Sequence, residues 1–273
     1  MTAEVLRATS AVEAVSLIGE RGAVPLAGAT WVMRAPLRGE PHADAYVALT
    51  GVDELGEIVR DGASITIGAC VSHDALAAAL CREPSLRGLW DAAATSATPA
   101  VRRMATVGGA LGAAGFRSSD LLPALLALGA EVQLMPSPGE RRGLPLEDYL
   151  RRHDERGQAL VCAVRVPAAG RASAHRRLCM RRGGGDYPVA IISVAVSASG
   201  ELRVGAGSVG VTPRRWHGLE RALTDGAREP EAVRAAAEAA IDELEPRDGV
   251  QAPAWYRGHV AVDLAVAAIG EVS

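Results

Sequence analysis

Apolar residues recur at helical spacing near the start of the chain and again towards its end. Val12, Val15 and Ile18 lie three residues apart, and Ser10 precedes them as a residue typical of helix N-caps. This pattern predicts an amphipathic helix over 10–18. In the last part of the chain, the same spacing predicts helices over 213–223, 230–244 and 254–269.

Short apolar runs bounded by turn residues predict strands between these helices. The runs over 58–60 and 64–67 form the clearest hairpin signal, because Asp61-Gly62 is a strong two-residue turn. Ser72 is the expected cap of a helix over 72–80. We also expect strands over 23–26, 46–49, 131–134 and 159–166, helices over 86–94 and 119–128, and an apolar-rich connector over 144–149.

The composition changes at 167–173, where the segment PAAGRAS is typical of a linker. Beyond it, strands are expected over 177–181, 189–197 and 202–209, with a hairpin turn at Ser199-Gly200. The order of strands and helices predicts two α+β domains, over 1–168 and 173–273.

Composition and charge exclude several classes of function. The formal net charge is −3 and no basic run alternates with aromatic residues, which argues against nucleic-acid binding. The chain contains no lysine, so a Schiff base or a phosphate-binding lysine is excluded. Neither a signal-peptide pattern nor an apolar stretch of about 18 residues is present, so we expect a cytoplasmic protein that does not interact with membranes.

The four cysteines and six histidines are spread along the chain without the spacing of metal ligands. The cysteines form no CxxC pair, which is typical of reduced thiols and excludes an iron–sulfur cluster of ferredoxin spacing on this chain. The histidines form no HxH or HxxxH pair. We therefore expect no metal site.

Two glycine-rich segments are the main candidates for ligand binding. Residues 105–115 are ATVGGALGAAG, and residues 26–30 are LAGAT. An interior glycine costs a helix or strand roughly 0.5–1 kcal/mol relative to alanine, so we expect loops that place bare backbone against a ligand. Pyrophosphate suits such backbone N–H groups best. Neither segment contains a P-loop or a full GxGxxG motif, and a purely structural turn is the alternative.

Several motifs in series carry a resemblance to a known family. LAGAT is followed by VRRMATVGGALGAAG and then by Asp120 at the start of an apolar helix. In the second half, RRGGGDY precedes the strand VAIISVAV, LRVGAGSVGVTPR ends in Pro-x-Arg, and Trp255-Tyr256-Arg257 opens an apolar helix. Over nearly its whole length, the chain resembles the FAD-binding medium subunit of the molybdenum hydroxylases, which include carbon monoxide and xanthine dehydrogenases.

The resemblance implies an α+β fold with FAD as a noncovalent cofactor. A two-subdomain FAD-binding domain with a mostly antiparallel sheet would precede a C-terminal domain of a small sheet and helices. The residues that the resemblance places at the cofactor are Ala27, Gly28, Ala29, Thr30, Trp31, Thr106, Val107, Gly108, Gly109, Asp120, Arg182, Asp186 and Tyr187.

These residues have different implied roles. The backbone of 27–30 and of 106–109 would hold the pyrophosphate. Asp120 would hydrogen-bond towards the ribityl or ring end, and Asp186 with Tyr187 would approach the isoalloxazine. Arg182 would either contact the flavin or form a salt bridge.

The resemblance also implies partners and a direction of electron flow. Electrons would originate at a molybdopterin subunit and reach this chain through an iron–sulfur subunit. The chain would then pass them to NAD, a quinone or oxygen, as an FAD-dependent oxidoreductase subunit.

The sequence departs from the family pattern within the glycine segments. The family's second glycine in the first loop is Ala29 here, its polar residue after Thr30 is Trp31, and its Arg-Asn pair is Arg102-Arg103. The polar residue after the second glycine pair is Ala110. These changes leave two alternatives open. One is a stand-alone flavoenzyme or oxidase on the same fold, and the other is a scaffold protein without flavin.

Overall fold

The computed structural model describes residues 3–113, 115–152, 159–167, 172–181, 186–224 and 226–272. The strands of these ranges are β1 (Glu4–Arg7), β2 (Val24–Leu26), β3 (Ala45–Ala48), β4 (Ile58–Asp61), β5 (Ser64–Gly68), β6 (Glu131–Met135), β7 (Arg142–Pro145), β8 (Leu160–Pro167), β9 (Ala172–Leu178), β10 (Ala190–Val196), β11 (Leu202–Gly207) and β12 (Arg214–Arg215). The helices are α1 (Ala11–Arg21), α2 (His73–Leu80), α3 (Arg87–Thr95), α4 (Pro99–Met104), α5 (Val107–Gly112), α6 (Leu121–Ala127), α7 (Leu146–Arg151), α8 (His217–Ala222), α9 (Pro230–Ala240) and α10 (Ala254–Gly270).

The chain divides into two compact units that are interleaved in sequence. The first unit contains Met1–Leu76, Pro99–Ala114 and Glu131–Val166. The second unit contains Ala77–Thr98, Gly115–Ala130 and Pro167–Ser273. Each unit therefore draws on distant parts of the chain.

The first unit contains two sheets. A three-stranded sheet has the order β1-β3-β2, and both of its pairs are parallel. A five-stranded sheet has the order β4-β5-β8-β6-β7, in which β4 with β5, β6 with β7, and β6 with β8 are antiparallel. Helix α1 contacts β2 and β3. Val47, Leu49 and Val15 are buried in the core around this parallel sheet, where apolar burial stabilises the fold.

The second unit is built on a four-stranded antiparallel sheet of order β12-β11-β10-β9. Helix α3 packs against β9, α6 against β11, and α10 against β10. Trp216 lies in this core with no exposed surface, and its indole N–H donates to the carbonyl of Ala240 at 2.9 Å. That bond joins the start of α8 to the end of α9.

The α+β class and most of the expected elements are confirmed. Ser10 caps α1 by accepting a hydrogen bond from the amide of Glu13 at 3.1 Å, and Ser72 accepts one from Ala75 at 3.1 Å. The β4–β5 hairpin turns at Gly62, whose φ is +52°. This left-handed backbone is the reason for the Asp-Gly turn.

Four expectations were wrong in detail. The apolar connector expected over 144–149 is the end of β7 and most of α7. The helix expected over 213–223 begins with β12, because Arg214 and Arg215 pair with β11, and α8 starts only at His217. Strand β9 begins at Ala172, inside the expected linker, because it pairs with the whole of β10. Strand β1 was not expected, and its mostly exposed residues pair along their whole length with the buried strand β3.

Within the described residues, the structure contains no helix that is both long enough and apolar enough to cross a membrane.

Candidate functional site

A cavity of about 210 Å³ lies in the first unit, between the two glycine-rich segments. The cofactor residues expected from the sequence that line it are Ala27, Gly28, Ala29, Thr30, Trp31, Thr106, Gly108 and Gly109. Gly112, Tyr149 and Leu160 complete part of its wall. The fold thus brings together two segments that are far apart in the sequence.

The backbone of the first segment leaves donor groups free at this cavity. The amides of Gly28, Ala29 and Thr30 donate no hydrogen bond to any other described residue. Ala29 has a φ of 59°, in the left-handed region that non-glycine residues seldom adopt. Successive free amides around a left-handed residue form an anion-binding concavity.

Gly28 is needed for a different reason, the close approach of the two segments. A Cβ atom at this position would collide with the backbone carbonyl of Met104 at the end of α4. Glycine is therefore the residue that lets the first segment lie directly against the chain entering the second segment.

The second segment corrects an expectation, because residues 107–112 form helix α5 instead of a loop. Thr106 caps this helix, and its Oγ1 accepts a hydrogen bond from the amide of Gly109 at 3.1 Å. A Cβ atom at Gly108 would lie 2.6 Å from the Cβ of Ala69. Tight packing against Ala69 thus explains the glycine at position 108, and this packing offsets its low helix propensity.

The amides of the second segment are already engaged. Val107 donates to the carbonyl of Val71 at 3.0 Å, and Gly108 donates to that of Ala69 at 2.8 Å. Val107 is fully buried and does not line the cavity, unlike its neighbours. The free backbone N–H groups at the cavity therefore belong to the first segment, and the second segment forms part of the cavity wall.

The lining of the cavity fits part of a dinucleotide. None of the described residues that line it is charged, so no carboxylate there repels a phosphate. Trp31 is covered on one face by the Arg38 guanidinium, 3.9 Å from the ring centroid, and Arg38 also donates to the Trp31 carbonyl at 3.0 Å. The Arg38 guanidinium is itself paired with the Glu40 carboxylate, so free amides and apolar walls are the features of this lining that suit a pyrophosphate and its adjoining groups.

Asp120 lies in the second unit, and its carboxylate is fully buried. It accepts a hydrogen bond from Nη1 of Arg177 at 2.8 Å, and its other oxygen lies 3.3 Å from Nε2 of His175. Nδ1 of His175 lies 2.8 Å from Oγ of Ser193. The carboxylate has no exposed surface, and its expected hydrogen bond towards the flavin remains a prediction. The geometry assigns it the role of holding Arg177.

Arg177 is the charged end of this buried network. Burial opposes its charge, but attraction to Asp120 and Cys179 outweighs burial and raises its pKa. The guanidinium also donates to Sγ of Cys179 at 3.1 Å. Arg177 therefore remains a cation. His175 and Arg177 were not among the residues expected at the site, and their i, i+2 spacing on β9 was the only sequence signal that they share a face.

Asp186 and Tyr187 are partly exposed in the second unit. The Asp186 carboxylate lies 3.8 Å from the Arg181 guanidinium, and the Tyr187 ring meets Phe116 edge-to-face with 5.7 Å between centroids. Phe116 therefore packs against an aromatic neighbour within its own unit. Arg182 lies outside the described residues.

Comparison with known proteins agrees with this arrangement. The family model described as the FAD binding domain in molybdopterin dehydrogenase matches residues 1–169, and the CO dehydrogenase flavoprotein C-terminal domain matches residues 174–272. The chain belongs to this flavoprotein family. It is thus a medium flavoprotein subunit of the molybdenum hydroxylase family, an oxidoreductase subunit with FAD as cofactor, as the sequence motifs implied.

Individual relatives match over most of their length. The chain is 28% identical over 260 residues to the carbon monoxide dehydrogenase medium chain of Hydrogenophaga pseudoflava, covering 91% of this chain and 89% of the relative. It is 31% identical over 222 residues to the 6-hydroxypseudooxynicotine dehydrogenase complex subunit alpha of Paenarthrobacter nicotinovorans, covering 78% and 74%.

The fold matches as well. A solved structure of carbon monoxide dehydrogenase from Hydrogenophaga pseudoflava, lacking the Mo-pyranopterin moiety of its cofactor, superposes with a TM-score of 0.87 at 28% identity. The match covers 100% of this chain and 97% of the other.

Proposed function

We propose that this chain accepts electrons from an iron–sulfur subunit of a molybdenum hydroxylase and delivers them to an acceptor. In this proposal a molybdopterin subunit oxidises the substrate, and the present chain is the electron outlet of the complex. The relatives named as a medium chain and as a complex subunit support a multi-subunit assembly. The observation that carries the proposal is the cavity of the first unit, where both glycine segments meet around free amides.

The residues of this cavity would hold the pyrophosphate end of the cofactor. The amides of Gly28, Ala29 and Thr30 would donate to phosphate oxygens, while α5 and Trp31 would shape the walls. FAD, when bound, supplies reversible one- and two-electron redox chemistry. The protein contributes orientation, exclusion of water from the apolar wall, and a neutral lining that tolerates the phosphate charge.

The other assignments in the second unit are also part of the proposal. Asp186 and Tyr187, which are partly exposed, would approach the isoalloxazine. Asp120 would act indirectly, because its buried carboxylate fixes Arg177. We further propose that the two family domains extend over 1–168 and 173–273, the second being completed by Ala77–Thr98 and Gly115–Ala130 in its compact unit. We also propose that the chain works in the cytoplasm.

The first test is the visible absorption spectrum of the purified chain, with the released flavin identified by chromatography. We expect bound FAD at one equivalent per chain. Addition of the reduced iron–sulfur subunit should then bleach the flavin absorbance. Turnover of a substrate by the chain alone would instead favour the stand-alone enzyme. A colourless chain that takes up no added FAD would favour the scaffold.

A glycine substitution tests the location of the site. A Cβ atom at Gly112 would meet no protein atom within 4 Å, so Gly112→Val adds volume to the cavity wall without a clash. We expect the affinity for FAD to fall at least tenfold, as measured by fluorescence quenching on titration of FAD into apoprotein. Gly19→Val is the matched control, because Gly19 also lies in a helix of the first unit with open space around it. Equal affinities in the two variants would place the site elsewhere.

A further inference from the structure

The guanidinium of Arg38 is fixed by hydrogen bonds from each of its nitrogens. Nε donates to the Glu40 carboxylate at 2.9 Å, and Nη2 donates to the same carboxylate oxygen. Nη1 donates to the backbone carbonyl of Trp31 at 3.0 Å. Only 23% of the Arg38 side chain is exposed, so these bonds are partly shielded from water. The planar group therefore has one defined orientation.

The local fold of the chain brings the carboxylate back to this arginine. Val32–Arg38 form a 3-10 helix, and Gly39 follows it with a φ of 74°, in the left-handed region that favours glycine. The amide of Glu40 donates to the carbonyl of Ala35 at 3.0 Å. The chain thus reverses just after Arg38, and the carboxylate of Glu40 lies against the guanidinium.

Arg38 holds Trp31 at two points. Its guanidinium carbon lies 3.9 Å from the centroid of the Trp31 ring, a distance at which a cation attracts an aromatic face. Its Nη1 bonds to the Trp31 carbonyl, which also accepts from the amide of Arg34 at 3.1 Å. Both the ring and the backbone of Trp31 are consequently tied to one guanidinium.

The position of Trp31 matters because this residue lines the candidate cofactor cavity. It directly follows the free amides of Gly28, Ala29 and Thr30. The carbonyl of Ala29 accepts from the amide of Met33 at 3.0 Å, so the amide loop continues without a break into the 3-10 helix. A shift of Trp31 would therefore change both the cavity wall and the end of the amide loop.

We propose that Arg38 is a positioning residue for FAD binding, which acts by holding Trp31 and the adjoining amide loop in place. The inference rests on the proposed function. Arg38 is not among the described residues that line the cavity, and Glu40 balances its charge, so its role is not attraction of phosphate. A wall and a set of amides that are ordered before binding lower the entropic cost of binding the cofactor.

The test measures the FAD affinity of the full chain by flavin fluorescence quenching on titration into apoprotein. We expect Arg38→Gln to lower the affinity about tenfold, as for loss of a hydrogen bond from a charged group. Arg38→Lys should retain part of the affinity, because lysine keeps a cation near the ring but lacks the planar fork. Glu40→Gln should lower the affinity less than Arg38→Gln, since it loosens the guanidinium without removing it.

Arg21→Gln is the matched control. Arg21 also belongs to the first unit and forms an ion pair, with Glu4 at 2.7 Å, but it does not line the cavity. Its FAD affinity should equal that of the wild type. Circular dichroism establishes that each variant is folded under the conditions of the titration, so that a loss of affinity is not a loss of folded protein.

A double-mutant cycle shows whether Arg38 acts through Trp31. Trp31→Leu should itself weaken FAD binding. Addition of Arg38→Gln to Trp31→Leu should then cost less than about threefold, because the ring that Arg38 holds is already absent. Fully additive losses would mean that Arg38 acts independently of Trp31, and they would overturn the positioning role.

Two further results would overturn the inference. One is an Arg38→Gln variant that binds FAD as tightly as the wild type, and the other is an equal loss of affinity in Arg21→Gln. Either result would leave the proposed function intact, because the wild type would still bind FAD. A wild-type chain that takes up no FAD would instead refute the proposed cofactor site together with the role of Arg38.

Discussion

At the scale of single residues, Ala29 carries the largest local strain in the proposed cofactor site. Its φ of 59° places a methyl group in a conformation that costs an L-residue about 1–2 kcal/mol. The same conformation leaves the amides of residues 28–30 free at the cavity. The strained backbone conformation is therefore the one that exposes the N–H groups that would bind phosphate.

Relief of this strain is measurable. We expect Ala29→Gly to raise the free energy of unfolding by roughly 0.5–1 kcal/mol, because the relieved strain exceeds the added backbone entropy of glycine. Urea unfolding followed by circular dichroism measures the change, and FAD affinity should be retained. Ala75→Gly is a control of opposite sign, because Ala75 is an exposed residue of α2, where glycine should cost about 1 kcal/mol. A destabilised Ala29→Gly variant would contradict the left-handed assignment.

The cysteines differ in reactivity because they differ in burial. Burial raises the pKa of the Cys70 and Cys162 thiols to about 11, whereas Cys81 is exposed. At pH 8 a thiol of pKa 11 is ionised to only about 0.1%, and the thiolate is the reactive form. We expect iodoacetamide at pH 8 to label Cys81 well before Cys70 and Cys162, as measured by peptide mass spectrometry.

The pH dependence and a denatured control complete this experiment. Because the pKa of Cys70 is raised, its thiolate fraction should grow about a hundredfold between pH 8 and pH 10, and its labelling rate with it. In denaturant all four cysteines should react at similar rates. Early labelling of Cys162 in the native protein would contradict its burial.

At the scale of elements, α5 is a short helix stabilised by its context. It has six residues, of which Gly108, Gly109 and Gly112 are poor helix formers. It forms because Thr106 caps it and because Gly108 packs against Ala69. Local propensity alone favoured a loop, and tertiary packing reversed that preference.

The cap of this helix can be tested directly. We expect Thr106→Ala to lower the free energy of unfolding by about 1 kcal/mol, because the amide of Gly109 loses its side-chain acceptor at the helix N-terminus. Thr106→Ser should restore most of the loss, since serine retains the hydroxyl. Chemical denaturation compares the three proteins. Thr106→Ala as stable as the wild type would show that packing alone holds α5.

At the scale of the whole molecule, the second unit depends on segments from the first part of the chain. Helices α3 and α6 pack against β9 and β11, and Asp120 on the loop before α6 neutralises Arg177 on β9. A fragment of 173–273 contains the sheet without these helices. It would expose apolar surface and leave Arg177 without its carboxylate.

We therefore expect the fragment 173–273, expressed alone, to lack a cooperative thermal transition by circular dichroism. Co-expression with the fragment 1–168 should restore cooperative melting, because the fragment 1–168 contains α3, α6 and Asp120, which belong to the second unit. A fragment 173–273 that melts cooperatively by itself would contradict the dependence of this unit on α3 and α6.

Much of the fold could be predicted from the sequence, because its signals were local. Helix caps such as Ser10, the Asp61-Gly62 turn and the apolar periodicity all act within a few residues. The series of motifs was specific enough to identify the family and its cofactor, which the family comparison confirmed. Errors arose where pairing with another strand, and not the local pattern, determined the structure, as in β1, β9 and β12.

The candidate site also has features that the sequence could predict and features that depended on the tertiary structure. Eight of the residues expected at the cofactor line one cavity, and their roles there remain predictions. The sequence by itself determined where bare backbone occurs, since glycine content is a local property. Only the tertiary structure decided which amides are free, why Gly28 and Gly108 have no side chain, and that Asp120 holds Arg177. Those properties depend on atoms that are distant in sequence, and only packing brings them into contact.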